Sequence, residues 1–264
     1  MSDVALTYVF LCASAFVAGA MNSIAGGGTL LTFPALTGFM HPVYANATST
    51  VALLPGSLAG SLGYRKELYE ARHAAIRMIV PSLLGGFLGA WLMARDEKLF
   101  EQLVPWLILT ATTLFLIQQP LVKWLKNRKP VPVPLTPEQP EPRPGVALEL
   151  ALMAFQFLVG VYGGYFGAGI GILMLTALGF MGIGDIHRMN AVKAALAVFI
   201  NGASVGVFVW QDMVKWNYAL AMAAAAIAGG YVGARVARRL KPAIVRWAVI
   251  AIGLGLSVYY FTIK

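Results

Sequence analysis

"MNSIAGGGTLLTFPAL", Met21 to Leu36, interrupts a run that otherwise reads as membrane-spanning sequence. Gly26, Gly27 and Gly28 in succession, with Pro34 after them, are poor material for a helix interior. Asn22 is equally poor material for lipid. The fold depends on whether this interruption occurs once or twice.

The surroundings set the solvent. The chain has 264 residues, 59% hydrophobic and only 12% charged, where a soluble domain carries about 25% charged residues. Its mean hydropathy is +0.73. Apolar runs of roughly 17–20 residues recur along nearly the whole length, each able to cross a bilayer core of about 30 Å. This predicts an all-α polytopic membrane protein with the lipid bilayer as its solvent. Val4 to Met21 has no basic n-region or A-x-A site, so it reads as a retained helix and not as a signal peptide.

Ten apolar segments can be read, at about 4–21, 24–40, 47–63, 74–94 and 101–119, then 146–162, 164–181, 190–210, 217–235 and 243–262. Between the halves, "PLVKWLKNRKPVPVPLTPEQPEPRPG" holds eight of the fourteen prolines and builds neither helix nor core. The organisation expected is a first repeat at 1–119, a Pro-rich linker at 120–145 and a second repeat at 146–264.

If all ten segments cross, fifteen Lys and Arg residues fall on the face holding the linker and four on the other, with Lys193 inside a segment. That asymmetry places the linker in the cytoplasm and both termini in the periplasm of a bacterial inner membrane. Segments one and two together as a re-entrant hairpin would keep the same parity. The net charge of +9 is thus a topology signal and not a sign of nucleic-acid binding.

The interruption does occur twice. At an offset of 141, "GAMNSIAGGGTLLTFPALTGFM" (19–40) falls on "GVYGGYFGAGIGILMLTALGFM" (160–181). After a three-residue insertion, "NATSTVAL" (46–53) falls on "NAVKAALA" (190–197), and "GGFLGAWLMAR" (85–95) on "GGYVGARVARR" (229–239). This is an internal duplication. Five segments per half is an odd number, so the second copy enters the membrane inverted. Glycine-broken segments at matching positions of two inverted repeats are the pattern of secondary transporters, with the breaks near the midplane. Irregular backbone at that depth is tolerated where it is buried in protein or lines a cavity.

Candidate binding residues follow from the breaks. Asn22, Gly26, Gly27, Gly28, Gly167 and Gly169 supply amides and freed N–H groups. Thr48, Ser49, Asn190 and Asn201 supply donors on the segments that follow, Asn46 and Asn190 also suiting helix capping. Lys193 stands three residues into its segment with no Asp or Glu there to neutralise it. It either snorkels to the interface or supplies the counter-charge for an anion. Tyr162, Tyr165 and Phe166 flank the second break as candidate gates or interfacial anchors. "FGAGIG" (166–171) has no preceding strand, which excludes a dinucleotide site. No residues have metal-ligand spacing, and neither a cofactor nor a catalytic constellation is expected, so an enzyme is disfavoured. Cys12 reads as packing.

The residues resemble the TauE/SafE family of sulfite exporters and related membrane transporters. The resemblance rests on the glycine break followed by "TLLTFPAL", on "NATST", and on "GGYFGAGIG" with "NAVKAALAVFIN", and it covers nearly the whole chain outside the linker. It implies a duplicated helical transporter exporting sulfite, sulfoacetate or another small sulfur-containing or organic anion. An anion channel of the same fold is the alternative. A coupling ion, H⁺ or Na⁺, stays open, with Glu149 the carboxylate nearest a segment interior.

Overall fold

Each apolar run folds as helix, and the chain leaves helix where the glycines stand. The computed structural model describes residues 3–24, 27–127, 145–181, 183, 186–236 and 242–263, and among them there is no strand. The first half comprises α1 (Asp3–Ile24), α2 (Thr29–Thr37), α3 (Pro42–Leu62), α4 (Arg65–Glu70), α5 (Arg72–Arg95) and α6 (Glu97–Asn127). The second comprises α7 (Val146–Tyr165), α8 (Ile170–Phe180), α9 (Ile186–Trp210), α10 (Trp216–Val236) and α11 (Pro242–Ile263). Of these, α1, α5, α6, α7 and α9 are long and apolar enough to cross a membrane. The protein is an all-helical, multi-pass membrane protein.

Two expectations about segments need correction. The segments at 24–40 and 164–181 yield only α2, with 9 residues, and α8, with 11. At about 1.5 Å per residue neither reaches much beyond half of a core about 30 Å thick. Each instead folds back along the helix before it. Gly28 lies against Ala18 and the Phe39 ring lies 6.4 Å from that of Phe10, so α1 and α2 form an antiparallel hairpin. Helix α6 also runs past residue 119 to Asn127, carrying Pro120 inside it, so the first eight residues assigned to the linker are helical. Residues 128–144 of the linker lie outside the described residues.

Packing comes in matched pairs. Helix α1 packs on α10 as α7 packs on α5, and α3 packs on α10 as α9 packs on α5. Helix α3 also meets α9, and α6 meets α11. Exchanging the halves leaves this pattern unchanged. The correspondence extends to single residues. A Cβ on Gly19 would strike the Ala226 carbonyl, and one on Gly160 would come within 3.2 Å of the Ser82 carbonyl oxygen. A Cβ on Gly229 would strike the Phe16 carbonyl, and one on Gly85 the Phe157 carbonyl. These four pairs match at the offsets read from the sequence. Small residues let these backbones approach closely, which is how helices associate where lipid removes the hydrophobic drive.

A stability test follows. Gly229→Ala should lower stability by about 1–3 kcal/mol, the usual penalty of overpacking, because the atom it meets is backbone and cannot yield. Gly206→Ala, with nothing within 4 Å of its Cβ position, should be neutral or better. Thermal unfolding of both variants in detergent reads the difference, and equal melting temperatures would remove the close-packing account.

Candidate functional site

The two breaks meet at one place. At the first, Gly27 has φ +92° and the Gly28 N–H donates to Asn22 Oδ1 at 2.8 Å, tying the end of α1 to the start of α2. At the second, the Tyr162 carbonyl accepts from the N–H groups of Phe166 and Gly167, at 2.9 and 3.2 Å, which closes the end of α7. Gly167 and Gly169 then take φ +83° and +81°, left-handed backbone that glycine enters without Cβ strain. The Phe115 ring abuts Gly27 and the Leu114 side chain abuts Gly169, so both breaks reach one turn near the centre of α6.

Between them lies a cavity of about 90 Å³, several times the roughly 10–15 Å³ that one water requires. It is lined by Asn22, Gly27 and Thr29 of the first break, and by Gly167, Gly169, Ile170 and Gly171 of the second. One face of α3 contributes Thr50, Leu53, Gly56, Ser57 and Gly60, with Tyr64 just beyond, and one face of α9 contributes Asn190, Lys193, Ala194, Ala197 and Asn201. Lys193 is the one charged residue among the described residues of this lining, and its Nζ donates to Asn190 Oδ1 at 2.8 Å.

The polarity of the lining is settled by these bonds. Asn22 Oδ1 faces a backbone N–H and Asn190 Oδ1 faces an ammonium, so both amide oxygens are already accepting. The group each amide has wholly free is its NH₂, a donor. The Lys193 ammonium keeps two further N–H donors. Gly171 makes room for this lysine, since a Cβ there would lie 3.1 Å from Lys193 Cδ. At the end near α4, burial, with Glu67 nearby, holds the Tyr64 phenol above its ordinary range, so it stays a neutral O–H. The cavity offers positive charge and donors, which suits an anion.

Asn22, Gly27, Gly167, Gly169, Asn190, Lys193 and Asn201 thus stand together. Thr48 and Ser49 stand elsewhere. Thr48 Oγ1 accepts from the Lys215 backbone N–H at 3.1 Å, and Ser49 shares a 2.6 Å hydrogen bond with Thr32, both fully buried. At about 100° per residue they lie some 200° and 100° around α3 from Thr50. Gly28 is buried against α1 and lies outside the lining, and Gly26 falls outside the described residues.

None of the three proposed gates lines the cavity. The Tyr162 hydroxyl donates to the Ala168 carbonyl at 2.8 Å and clamps the break. The Phe166 ring is buried against Phe33 and Phe100, and Tyr165 packs at a tilt against Phe100 with centroids 5.4 Å apart. Glu149 is also away from the cavity, paired with Arg77 at 3.0 Å. The residues that sequence reasoning missed are Thr29, Thr50, Ser57, Tyr64 and Gly171. Thr50, Leu53, Ser57, Gly60 and Tyr64 form one stripe at helical spacing, and that periodicity was the signal available.

No solved structure matches the chain. A "Probable membrane transporter protein" of Haemophilus influenzae is 29% identical over 89% of this chain and 87% of its own length. "Probable membrane transporter protein ORF9" of a Sinorhizobium species is 27% identical over 98% of this chain and 94% of its own. "Probable membrane transporter protein YfcA" of Escherichia coli is 27% identical, covering 86% and 77%. Residues 11–260 match the family described as Sulfite exporter TauE/SafE, and with those relatives the match shows that the chain belongs to this family of membrane transporters.

Proposed function

We propose that the protein is a secondary transporter exporting a small anion, such as sulfite, sulfoacetate or a related organosulfonate, across the bacterial inner membrane. The observation that carries this reading is the cavity between the two breaks, where Lys193 is the sole charged residue among the described lining residues and the Asn22 and Asn190 amide oxygens each already accept a hydrogen bond. An oxyanion accepts from the Lys193 ammonium and from the amides of Asn22, Asn190 and Asn201, while the Thr50 and Ser57 hydroxyls donate to the Asn46 and Leu53 carbonyls of their own helix. The matched packing of the halves supports alternating access between two inverted repeats. The cavity's Tyr64 and Asn190 end lies beside Arg65, Lys66 and Arg188, residues of the basic face, which supports loading from the cytoplasm. An inside-negative potential favours export by about 2.3 kcal/mol per charge per 100 mV.

Reconstituted protein in liposomes tests this. Sulfite and sulfoacetate flux should saturate and be driven against the anion's own gradient by an imposed potential, and a neutral analogue should not bind. Flux that never saturates and only runs downhill would identify a channel. Equal binding of the neutral analogue would remove the anion site.

A further inference from the structure

The cavity ends before the stripes that line it do. On α3 the residues Thr50, Leu53, Ser57, Gly60 and Tyr64 share a face, and Asn46 is the preceding turn of that face. On α9 the stripe of Asn190, Ala194, Ala197 and Asn201 continues through Ser204 to Phe208. The cavity takes the C-terminal part of α3 and the N-terminal part of α9, so both extensions lie at the same, closed end.

That end is polar inside and sealed by rings. Asn46 and Ser204 are each 1% exposed and Phe208 is fully buried. Asn46 Nδ2 donates to the Tyr165 carbonyl at 3.2 Å, while Asn46 Oδ1 and the Tyr165 hydroxyl are buried without any partner. An unsatisfied polar atom is expensive to bury, so one on each of two residues in contact needs a reason. Phe100 packs at a tilt against Tyr165 and meets Phe166, which packs edge-on against Phe33 at 5.2 Å.

Building on the transporter reading, we infer that this closed end is the release-side half of the anion path, with Phe33, Phe100 and Phe166 as its plug. When the plug parts, the Tyr165 O–H donates to the departing anion and Asn46 Oδ1 accepts from the water that enters. At the repeat-equivalent position to Lys193 stands Ser49, which is neutral and bonded to Thr32. The position on the release side that corresponds to Lys193 therefore carries no charge.

The test is directional thiol labelling. Cys12 is replaced (Cys12→Ser), single cysteines are introduced as Ser57→Cys or Ser204→Cys, and a membrane-impermeant methanethiosulfonate is applied to one face of oriented proteoliposomes at a time. Ser57→Cys should react from the cavity face. Ser204→Cys should react from the opposite face, and slowly, because a minor conformer is populated at only about 0.1–10%. Adding Phe100→Ala should raise the Ser204→Cys rate by roughly tenfold or more on the same reasoning. The Ser57→Cys rate in that background reports on folding, and Phe100→Leu replaces Phe100→Ala should that rate collapse. Reaction of Ser204→Cys from the cavity face, or a rate unmoved by thinning the plug, overturns the inference. The probe is not a substrate, so a failed anion-binding assay would sink the transporter reading and leave this labelling pattern standing.

Discussion

Lys193→Met should weaken anion binding by at least roughly tenfold and, in the same protein without anion, raise thermal stability. The two effects have opposite signs because they come from one charge. Lys193 is the single cation among the described residues of the cavity, and a hydrogen bond to a charged group contributes about 1.5–3 kcal/mol. Losing it should weaken sulfite binding roughly 10- to 150-fold. In the empty protein the same ammonium sits within a helix long and apolar enough to span the membrane, with a neutral amide as its hydrogen-bond partner. A lysine at the centre of a span costs about 2.5–3.5 kcal/mol on insertion scales and one nearer the end, as Lys193 is in α9, costs less; methionine matches the stem without that cost. Isothermal titration with sulfite and a melting curve without it measure the two arms. Unchanged affinity would return Lys193 to a snorkelling role. Lower stability without anion would instead make it a structural partner of Asn190.

The helices were legible because each apolar run obeys a local rule. The chain cannot leave water-free surroundings with unpaired backbone, so long apolar sequence becomes helix whatever it packs against. The corresponding close contacts of the two halves were foreshadowed too, since glycines spaced for close approach recur in both. The face of each helix was harder to read. Thr48, Ser49 and Thr50 are consecutive and chemically alike, yet only Thr50 meets the cavity. Which of them does so depends on how α3 is rotated between α9 and α10, a tertiary quantity. The aromatics Tyr165 and Phe166 raised a similar ambiguity. Both adjoin the second break in sequence, but the chain turns at Gly167 and directs them to the ring cluster instead of the cavity. Lys193 stood out in the sequence by its cost alone, and it lines the cavity. Its bond to Asn190, one helical turn back, follows from their spacing on the helix.

Gly27→Ala should be the most damaging single methyl in the protein's core, destabilising it by about 2–5 kcal/mol. Two separate costs add. At φ +92° an L-residue pays about 1–2 kcal/mol for left-handed backbone. The new Cβ would also collide with the Phe115 ring, which is 1% exposed and has nowhere to retreat, adding about 1–3 kcal/mol for overpacking. Gly169→Ala shares the first cost but meets Leu114 Cδ1 at 3.2 Å, the far end of a flexible side chain, so about 1–2 kcal/mol is expected. Pairing Gly27→Ala with Phe115→Leu separates the two terms. The smaller side chain should restore the overpacking part and leave the backbone part, a positive coupling between adjacent sites. The same substitution should weaken anion binding, because Gly27 joins α1 to the Gly28 N–H that fixes the Asn22 amide. Unfolding in detergent, with Gly60→Ala as a control whose Cβ meets nothing within 4 Å, measures the scale. If Gly27→Ala melts with that control, the first break is loose backbone and holds no fixed edge of the cavity.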